Sequence, residues 1–208
     1  MNNSTQLYFK EVLDSKRLEI LPKLTFLKDL WFYLAWWTAL ALQYWHRKSI
    51  DFDFFTSKEI DTEKLFNIIL NNLKKEKILK TYEEKNTLYL EINWIKFSFI
   101  TFKQKNLKDF IETKNINILS DIEIATMKIW TIQNRATNKD YIDLYYILQK
   151  YSLDEIINNF YKKFWKIISE NLIRKSLVYF DDIIEEELIL NKNISFKEVK
   201  NYLQNIIK

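Results

Sequence analysis

The sequence predicts an α+β fold in which a mixed β-sheet with flanking helices is followed by an all-helical C-terminal domain. Short apolar runs and alternating segments, typical of strands, are mixed with helical patterns between Trp31 and Phe102. From about Ser120 onward, apolar residues recur at helical spacing instead. We therefore expect a first domain over residues 1–115 and a helical domain over residues 116–208, with the lysine-rich segment 103–114 as the linker.

The expected elements follow this division. One or two amphipathic helices are predicted over residues 6–30, with Pro22 in the first turn of the second. Strands are expected over residues 31–35, 49–55, 78–82, 87–93 and 95–102, and helices over 38–44, 61–77, 121–133, 138–151, 153–164, 169–180 and 195–207. The last two strands meet at Asn93-Trp94, where a hairpin turn normally prefers Asn-Gly.

Composition favours a folded cytoplasmic protein. The chain has 208 residues, 48% of them apolar, which is enough for a substantial core. It has no cysteine, which excludes disulfides and Cys-ligated zinc, and its beginning lacks the layout of a secretory signal. The longest apolar stretch, Leu30 to Trp45, is shorter than the roughly 20 residues of a membrane span, so no membrane association is expected. The net charge of +4 permits an RNA partner without indicating one.

Glycine is absent from the sequence, and tryptophan is abundant. Average usage of about 7% would give roughly 15 glycines in a chain of this length, yet there is none, whereas there are seven tryptophans. Glycine supplies positive φ in turns and at helix ends, so a mixed fold without it would have to avoid or strain every such position. The absence therefore needs a specific explanation.

Two carboxylates separated by one residue form the candidate chemical centre. Asp51 and Asp53 fall on the predicted strand 49–55, and since side chains alternate along a strand, both point to the same side. Such a pair can share a magnesium ion, which neutralises a triphosphate and orients an attacking hydroxyl. Taken alone, the same pattern also fits a solvent-facing strand edge.

A strand, a tight turn at Trp36-Trp37-Thr38 and a helix precede this pair. That layout presents backbone N–H groups and a helix N-terminus to a phosphate group. Two adjacent indoles, however, would occupy the ligand's space. A catalytically inactive nucleotide-binding or interaction protein is therefore the alternative for the chain as printed.

The segment from Leu34 to Phe55 resembles the signature of the AbiEii-type abortive-infection nucleotidyltransferase toxin family. That signature has a Gly-Gly-Thr or Gly-Gly-Ser turn, Ala-Leu-Ala-Leu, Gly-His-Arg and Ser-x-Asp-x-Asp-Phe-Phe. The matching residues are Thr38, Ala39, Leu40, Ala41, Leu42, His46, Arg47, Ser49, Asp51, Asp53, Phe54 and Phe55. We expect His46, at the end of the helix, to be structural rather than catalytic.

Tryptophan takes the glycine positions of this signature, at Trp36, Trp37 and Trp45. Trp94 lies where the hairpin prefers glycine, and Trp165 where the family often has one, whereas Trp31 and Trp130 are less constrained. Our hypothesis is that the tryptophans are glycines encoded by UGA, which some bacterial lineages read as glycine. The alternative is a genuine glycine-free variant.

A second segment, residues 120–151, resembles another conserved block of the family. Its characteristic positions are filled by Glu123, Lys128, Lys139, Asp140, Asp143 and Leu144. On a helix Glu123 and Lys128 point about 140 degrees apart, so they need not pair, whereas Asp140 and Asp143 share a face. Without the resemblance, helix-surface charge with Asn138 as the cap explains the same residues. Residues 169–182 resemble the family's C-terminal helix, which we expect to pack.

The resemblance implies a nucleotidyltransferase-type core over residues 1–115 and a metal-dependent enzyme, the toxin of a toxin–antitoxin or phage-defence system. Mg²⁺ or Mn²⁺ would be held by Asp51 and Asp53, and a nucleotide would pass from GTP or a pyrimidine triphosphate to an acceptor such as tRNA. A cognate antitoxin encoded nearby is implied as a partner. An antitoxin that nucleotidylates a protein is a further alternative.

The implied site residues fall into three groups. The catalytic residues would be Asp51, Asp53, Lys128 and Asp140, and Glu123 and Asp143 would support them. The nucleotide and its phosphates would be bound by Trp36, Trp37, Thr38, Arg47, Ser49 and Lys128. Related nucleotidyltransferases usually add a third carboxylate from a later strand, and here Ser98 is the residue on offer.

Overall fold

The computed structural model describes residues 6–207, which form a seven-stranded mixed sheet with helices before, within and after it. The strands are β1 (Tyr33–Leu34), β2 (Phe52–Thr56), β3 (Ile78–Glu84), β4 (Thr87–Ile92), β5 (Ile95–Thr101), β6 (Ile111–Glu112) and β7 (Asn117–Ile118). The helices are α1 (Phe9–Val12), α2 (Ser15–Ile20), α3 (Phe26–Asp29), α4 (Trp36–Tyr44), α5 (Thr62–Asn72), α6 (Asp121–Asn134), α7 (Asn138–Leu148), α8 (Leu153–Phe164), α9 (Glu170–Ser176) and α10 (Phe196–Ile206). The predicted α+β class is confirmed.

The sheet has the order β3-β4-β5-β2-β1-β7-β6, and its central strand is β2. β2 runs parallel to β5 and antiparallel to β1, and all five of its residues are buried. Phe52 and Phe54 stack on Phe97 and Phe99 of β5, with ring centroids 5.1 and 5.8 Å apart. Since side chains alternate along a strand, Asp53 points to the opposite face from these rings.

Helix α4 connects the helical half to the sheet, because it contacts β2 as well as helices of that half. Helices α6, α7 and α8 form the centre of this half, and α4 contacts both α6 and α7. The sheet itself extends to β7, just beyond residue 115, so the division into two domains stays a prediction. Within residues 6–207 no helix has the length and apolar character needed to cross a bilayer.

Several predicted element bounds differ from the structure. Residues 6–30 form short helices and one 3₁₀ turn, Leu21–Leu24, which contains Pro22. Asp51 lies one residue before β2 rather than within it, and Asn138 is not the cap of α7. That cap is Thr137, which forms a capping box with Asp140, so the cap prediction was wrong by one residue.

Positive backbone φ angles are concentrated at tryptophan. Among the described residues seven have positive φ, of which two are the asparagines Asn86 and Asn93. The other five are all tryptophans, at 31, 36, 45, 94 and 165, with φ between 49 and 68°. Asparagine tolerates this conformation, whereas for a bulky side chain it is an outlier that costs about 1–2 kcal/mol per residue. The fold therefore requires a conformation that suits glycine at most of its tryptophans.

We expect Trp94→Gly to raise the melting temperature. Trp94 has φ 68° in the hairpin between β4 and β5, and its indole is 69% exposed. Glycine removes about 1–2 kcal/mol of strain and loses a contact between the Lys77 ammonium and the indole, worth about 0.5–1 kcal/mol at an exposed site. The gain should be a few degrees, at roughly 2–4 °C per kcal/mol, measured by thermal unfolding.

The matched control is Trp130→Gly, inside α6. Trp130 stacks on Phe164 at 5.2 Å and has no positive φ. Glycine there removes the stack and costs about 1 kcal/mol in helix propensity, so this variant should melt lower. Equal melting shifts in the two variants would refute the strain argument.

Candidate active site

The candidate site lies where β1 turns into α4, beside the start of β2. The amide of Ala35, directly before α4, donates to the carbonyl oxygen of Asp53 at 2.9 Å. Helix α4 then begins at Trp36, so its N-terminus lies beside β2, which contains Asp53 and directly follows Asp51. The predicted strand and helix are present in this order, but residues 36–38, predicted as a tight turn, form the first turn of α4.

Ser98 lies beside Asp53 on the neighbouring strand β5. The two residues are directly paired in register, and the Ser98 hydroxyl donates to Asp53 Oδ1 at 2.6 Å. The other carboxylate oxygen, Oδ2, is buried and has no hydrogen-bond partner among the described residues. Ser98 therefore fixes one oxygen of Asp53 and leaves the second for a ligand.

Burial shifts both carboxylates towards protonation. Desolvation raises the pKa of Asp53 to about 6, although the hydrogen bond from Ser98 lowers it, and the charge of Asp51 adds to the rise. Desolvation also raises the pKa of Asp51, against Lys96 and Lys139, which lower it. Two close carboxylates with raised pKa values favour the binding of a cation.

The donor set fits a hard divalent cation that is shared with a substrate. Mg²⁺ commonly binds through one or two carboxylates and completes its coordination with water and substrate phosphates. The unpartnered Oδ2 of Asp53 beside Asp51 supplies such a pair. No cluster of three or more Asp, Glu, His or Cys that could hold a metal occurs within residues 6–207, so the residues suit a two-carboxylate site.

Thr38 and Ser49 connect α4 to the segment before the carboxylates. Both are buried, and their hydroxyl oxygens are 2.7 Å apart. The Thr38 hydroxyl also donates to the backbone carbonyl of Asp51. These two predicted phosphate-binding residues therefore hold Asp51 in place relative to the helix N-terminus.

Two indoles fill the space in front of this N-terminus. Trp36 packs edge-on against Phe55, with ring centroids 4.9 Å apart, and its buried Nε1 has no partner within the described chain. Trp37 Nε1 donates to Asp140 Oδ1 at 3.3 Å. The ammonium groups of Lys128 and Lys139 lie 5.3 and 4.5 Å from the Trp37 ring centre. The Trp37 ring thus lies among two lysines and a carboxylate of the helical half.

A buried charge network links the two halves of the chain. Lys128 Nζ lies 2.8 Å from Asp140 Oδ1 and 2.7 Å from Asp143 Oδ2. His46 Nε2 and Arg47 Nε approach Asp143 Oδ1 at 2.7 and 3.1 Å. All five side chains are at most 3% exposed. Two acidic and two basic groups therefore balance each other, with His46 as a fifth member.

Burial and neighbours set the protonation of this network. Desolvation lowers the pKa of His46 to about 4, so the imidazole is neutral at pH 7. Burial alone would raise the pKa of Asp143, but Arg47 and Lys128 hold it well below its ordinary value. His46 therefore orients Asp143 as a neutral hydrogen-bond partner, in agreement with the structural role expected for it.

Glu123 belongs to a separate ion pair. It is 1% exposed and contacts Lys163. Lys128, with which the helical spacing did not require Glu123 to pair, contacts Asp140 and Asp143 instead. Its Oε1 accepts the backbone amides of Leu107 and Lys108 at 2.6 and 2.9 Å. Glu123 therefore clamps the predicted linker onto α6 and lies outside the network of Lys128.

We expect Glu123→Ala to release this segment. The variant removes the acceptor for two amides and leaves Lys163, whose pKa burial already lowers, without its counterion. Amide hydrogen exchange at Leu107 and Lys108 should become faster by more than tenfold, the change that corresponds to about 1.4 kcal/mol. The exposed Glu112→Ala is the control, and unchanged exchange in Glu123→Ala would contradict the clamp.

Two cavities adjoin the carboxylate pair. One of about 300 Å³ lies along β4 and β5 and is lined by Tyr89, Lys96, Ser98 and Arg135 as well as both carboxylates. The other, of about 90 Å³, is lined by Lys48, Ser49, Lys139 and Glu187. Trp37 and Asp51 line both cavities, so the Trp37 indole stands between them.

Sequence reasoning missed some residues at this site. Glu186, in the extended segment after α9, pairs with Lys139 at the edge of the smaller cavity. Arg135 and Tyr89 line the larger one. No periodic spacing relates these residues to the motif around Asp51, because loops and separate strands bring them there.

The sheet, the carboxylate pair and the facing helical half define a protein with a nucleotidyltransferase-type fold. The same architecture occurs in JHP933 from Helicobacter pylori, with a TM-score of 0.56, 17% identity and coverage of 94% of this chain and 91% of that one. It also occurs in MenT4, the nucleotidyltransferase toxin Rv2826c from Mycobacterium tuberculosis H37Rv, with a TM-score of 0.59, 12% identity and coverage of 91% and 80%.

The chain belongs to the AbiEii nucleotidyl transferase toxin family. Residues 38–205 match that family, described as "Nucleotidyl transferase AbiEii toxin, Type IV TA system". An uncharacterized protein of Aquifex aeolicus (strain VF5) is 34% identical over 180 residues, which cover 85% of this chain and 86% of that protein. The predicted family and enzyme class are thereby confirmed, and the chain is a nucleotidyltransferase of the toxin class.

Proposed function

We propose that this toxin transfers a nucleotide from a nucleoside triphosphate to an acceptor hydroxyl in a metal-dependent reaction. One observation carries the proposal: Asp53 keeps a buried carboxylate oxygen that has no partner within residues 6–207, beside Asp51 in a cavity at the N-terminus of α4. Mg²⁺ or Mn²⁺ bound by the two carboxylates would supply charge neutralisation for the triphosphate. The helix N-terminus adds favourable interactions with the phosphates.

The remaining site residues have distinct proposed roles. Thr38 and Ser49 hold the backbone of Asp51, so that the first turn of α4, residues 36–38, can present its amides to the phosphates. Lys128 and Asp140 are the proposed catalytic residues of the helical half. Asp143 pairs with Lys128, and Arg47 pairs with Asp143, so these ion pairs fix the positions of the catalytic residues. The active site would lie between a core of residues 1–115 and the helical domain of residues 116–208.

The substrates are proposed from the family. GTP or a pyrimidine triphosphate is the donor, tRNA is the acceptor, and an antitoxin encoded nearby is the partner in the cytoplasm. The cavity of about 300 Å³ beside the carboxylates has room for part of a nucleotide and is lined by Lys96 and Arg135, which suit an anionic ligand.

One observation favours a second function. Trp36 and Trp37, as printed, place two indoles in front of the helix N-terminus, which is the arrangement of a catalytically inactive binding protein. The two functions differ in whether activity appears once these side chains are removed.

Transfer from α-labelled triphosphates tests the proposal. The full chain with Trp36→Gly and Trp37→Gly should label RNA in the presence of Mg²⁺ and lose this activity in EDTA. The printed sequence and a glycine-containing Asp53→Asn variant are the controls. A folded glycine-containing chain that labels nothing would support the inactive binding protein, and label on protein alone would indicate a protein-nucleotidylating enzyme.

A further inference from the structure

We infer that the native protein carries glycine at positions 31, 36, 45, 94 and 165, where the sequence prints tryptophan. All five have a left-handed backbone, and the only other residues with positive φ between 6 and 207 are asparagines. Left-handed φ occurs at a few per cent of non-glycine residues and is rarest for bulky ones. Its presence at five of seven tryptophans, in a chain without glycine, is not a chance distribution.

Two of these positions end helices in a way that calls for glycine. After α3, the amide of Phe32 donates to the Leu27 carbonyl and that of Trp31 donates to the Lys28 carbonyl, both at 2.9 Å. This is the Schellman pattern, whose left-handed residue is usually glycine. After α4, Trp45 has φ 49° and ψ 33° and donates to Ala41, which is the related single-bond ending. Trp31, which no sequence motif constrains, is therefore as constrained by the structure as Trp45.

The tryptophans at positions 94 and 165 also have backbone conformations that favour glycine. Asn93 and Trp94 have φ 51° and 68°, so both central residues of this two-residue hairpin are left-handed. Turns of that type strongly prefer Asn-Gly. Trp165 follows α8 with φ 54° and ψ 175°, beside a region of backbone space that is essentially restricted to glycine.

Position 36 connects this inference to the active site. Trp36 has φ 53° at the first residue of α4, and its indole nitrogen is buried without a partner in the described part of the chain. Glycine there removes the strain and a side chain from the wall of the cavity that holds both carboxylates. A UGA codon read as glycine in the host accounts for all five positions together.

The codons and the protein itself test this inference. We expect UGA at all five positions, and glycine in the corresponding peptides when the protein from its native host is analysed by mass spectrometry. UGG at these positions, or tryptophan in those peptides, would overturn it. The result is independent of activity, because it can be obtained on a protein that transfers no nucleotide.

A different observation carries a second inference: we infer that Lys139 contacts the triphosphate and that Glu186 pairs with the Lys139 ammonium when no triphosphate is bound. It rests on the proposed function. Arg47 and Lys128 are buried and already paired with Asp140 and Asp143. Lys139 instead pairs with Glu186 at the edge of the smaller cavity, and the two side chains are 15% and 35% exposed.

The position of Lys139 suits a phosphate group between it and the carboxylates. Its ammonium lies 4.5 Å from the Trp37 ring centre. Lys139 and Asp51 line the same small cavity, which the Trp37 indole separates from the larger one. With glycine at position 37 the two cavities would join, and a triphosphate could bridge the carboxylate site and Lys139.

Binding of inorganic tripolyphosphate with Mg²⁺ tests this role, and because this ligand has no nucleobase the result does not depend on the identity of the donor nucleotide. In the full chain with glycine at positions 36 and 37, Lys139→Ala should weaken binding by about tenfold or more, whereas Lys139→Arg should retain most of it. Glu186→Gln should bind more tightly, because it releases the lysine. The exposed Lys103→Ala is the control for net charge.

Two outcomes separate this inference from the proposed function. Transfer activity together with unchanged tripolyphosphate binding in a folded Lys139→Ala variant would overturn the role of Lys139 alone. Absence of both transfer and tripolyphosphate binding in the glycine-containing parent would overturn the proposed function, and the role of Lys139 with it.

Discussion

Replacing Asp53 by asparagine should abolish nucleotide transfer and, in the absence of metal, raise the melting temperature at pH 7.5. Burial raises the pKa of Asp53 from 3.8 to about 6, so a charged Asp53 destabilises the folded state. A shift of this size corresponds to at most about 3 kcal/mol at pH values above both pKa values. Asparagine removes the buried charge and can keep the hydrogen bond with Ser98.

The stabilisation expected from Asp53→Asn depends on pH. Because the folded-state pKa lies above the unfolded one, the cost of the carboxylate is fully present above pH 6 and disappears as the pH falls below about 4. The gain from Asp53→Asn should therefore shrink between pH 6 and pH 4. Thermal unfolding in EDTA across this range measures it, with the exposed Asp109→Asn as control. A lower melting temperature at pH 7.5 would contradict the account.

Replacing Asp143 by alanine should produce the largest loss of stability among the site variants. Its carboxylate is fully buried and contacts His46, Arg47 and Lys128. Truncation leaves two buried cations with only Asp140 to balance them, and breaking a buried pair in this way costs about 3–5 kcal/mol. Urea unfolding at pH 7.5 measures the loss.

The matched control for Asp143 is Asp182→Ala, which removes an exposed carboxylate from the segment after α9. It should change the free energy of unfolding by less than about 0.5 kcal/mol. A loss below about 1 kcal/mol in Asp143→Ala would mean that the network does not hold the two halves together.

Much of the sheet and the carboxylate pair was predictable because both follow from local sequence. Alternation predicted Asp51 and Asp53 on one side, and both line the same cavity although Asp51 lies one residue before β2. The hairpin turn was visible as Asn93-Trp94. The sequence also has Ser98 at the position where related enzymes usually have a third carboxylate, and the parallel pairing of β2 and β5 places Ser98 beside Asp53. These features need only strand period and turn chemistry.

The connections between the halves were less predictable. Lys128 was expected to reach phosphates, but α7 brings Asp140 and Asp143 against it, so its charge is balanced inside the protein. Asp140 also serves as the capping partner of Thr137, which takes the cap position predicted for Asn138. Such choices depend on how helices pack, and the spacing along one helix does not specify them.

Binding of Mn²⁺ tests the central claim most directly, because it observes the carboxylate pair without an acceptor. Electron paramagnetic resonance of the full chain with glycine at positions 36 and 37 should show one bound Mn²⁺ per protein in the presence of a non-hydrolysable triphosphate. Asp53→Asn should lose this binding while remaining folded. Equal Mn²⁺ binding in the parent and in Asp53→Asn would contradict the assignment of Asp51 and Asp53 as the metal site.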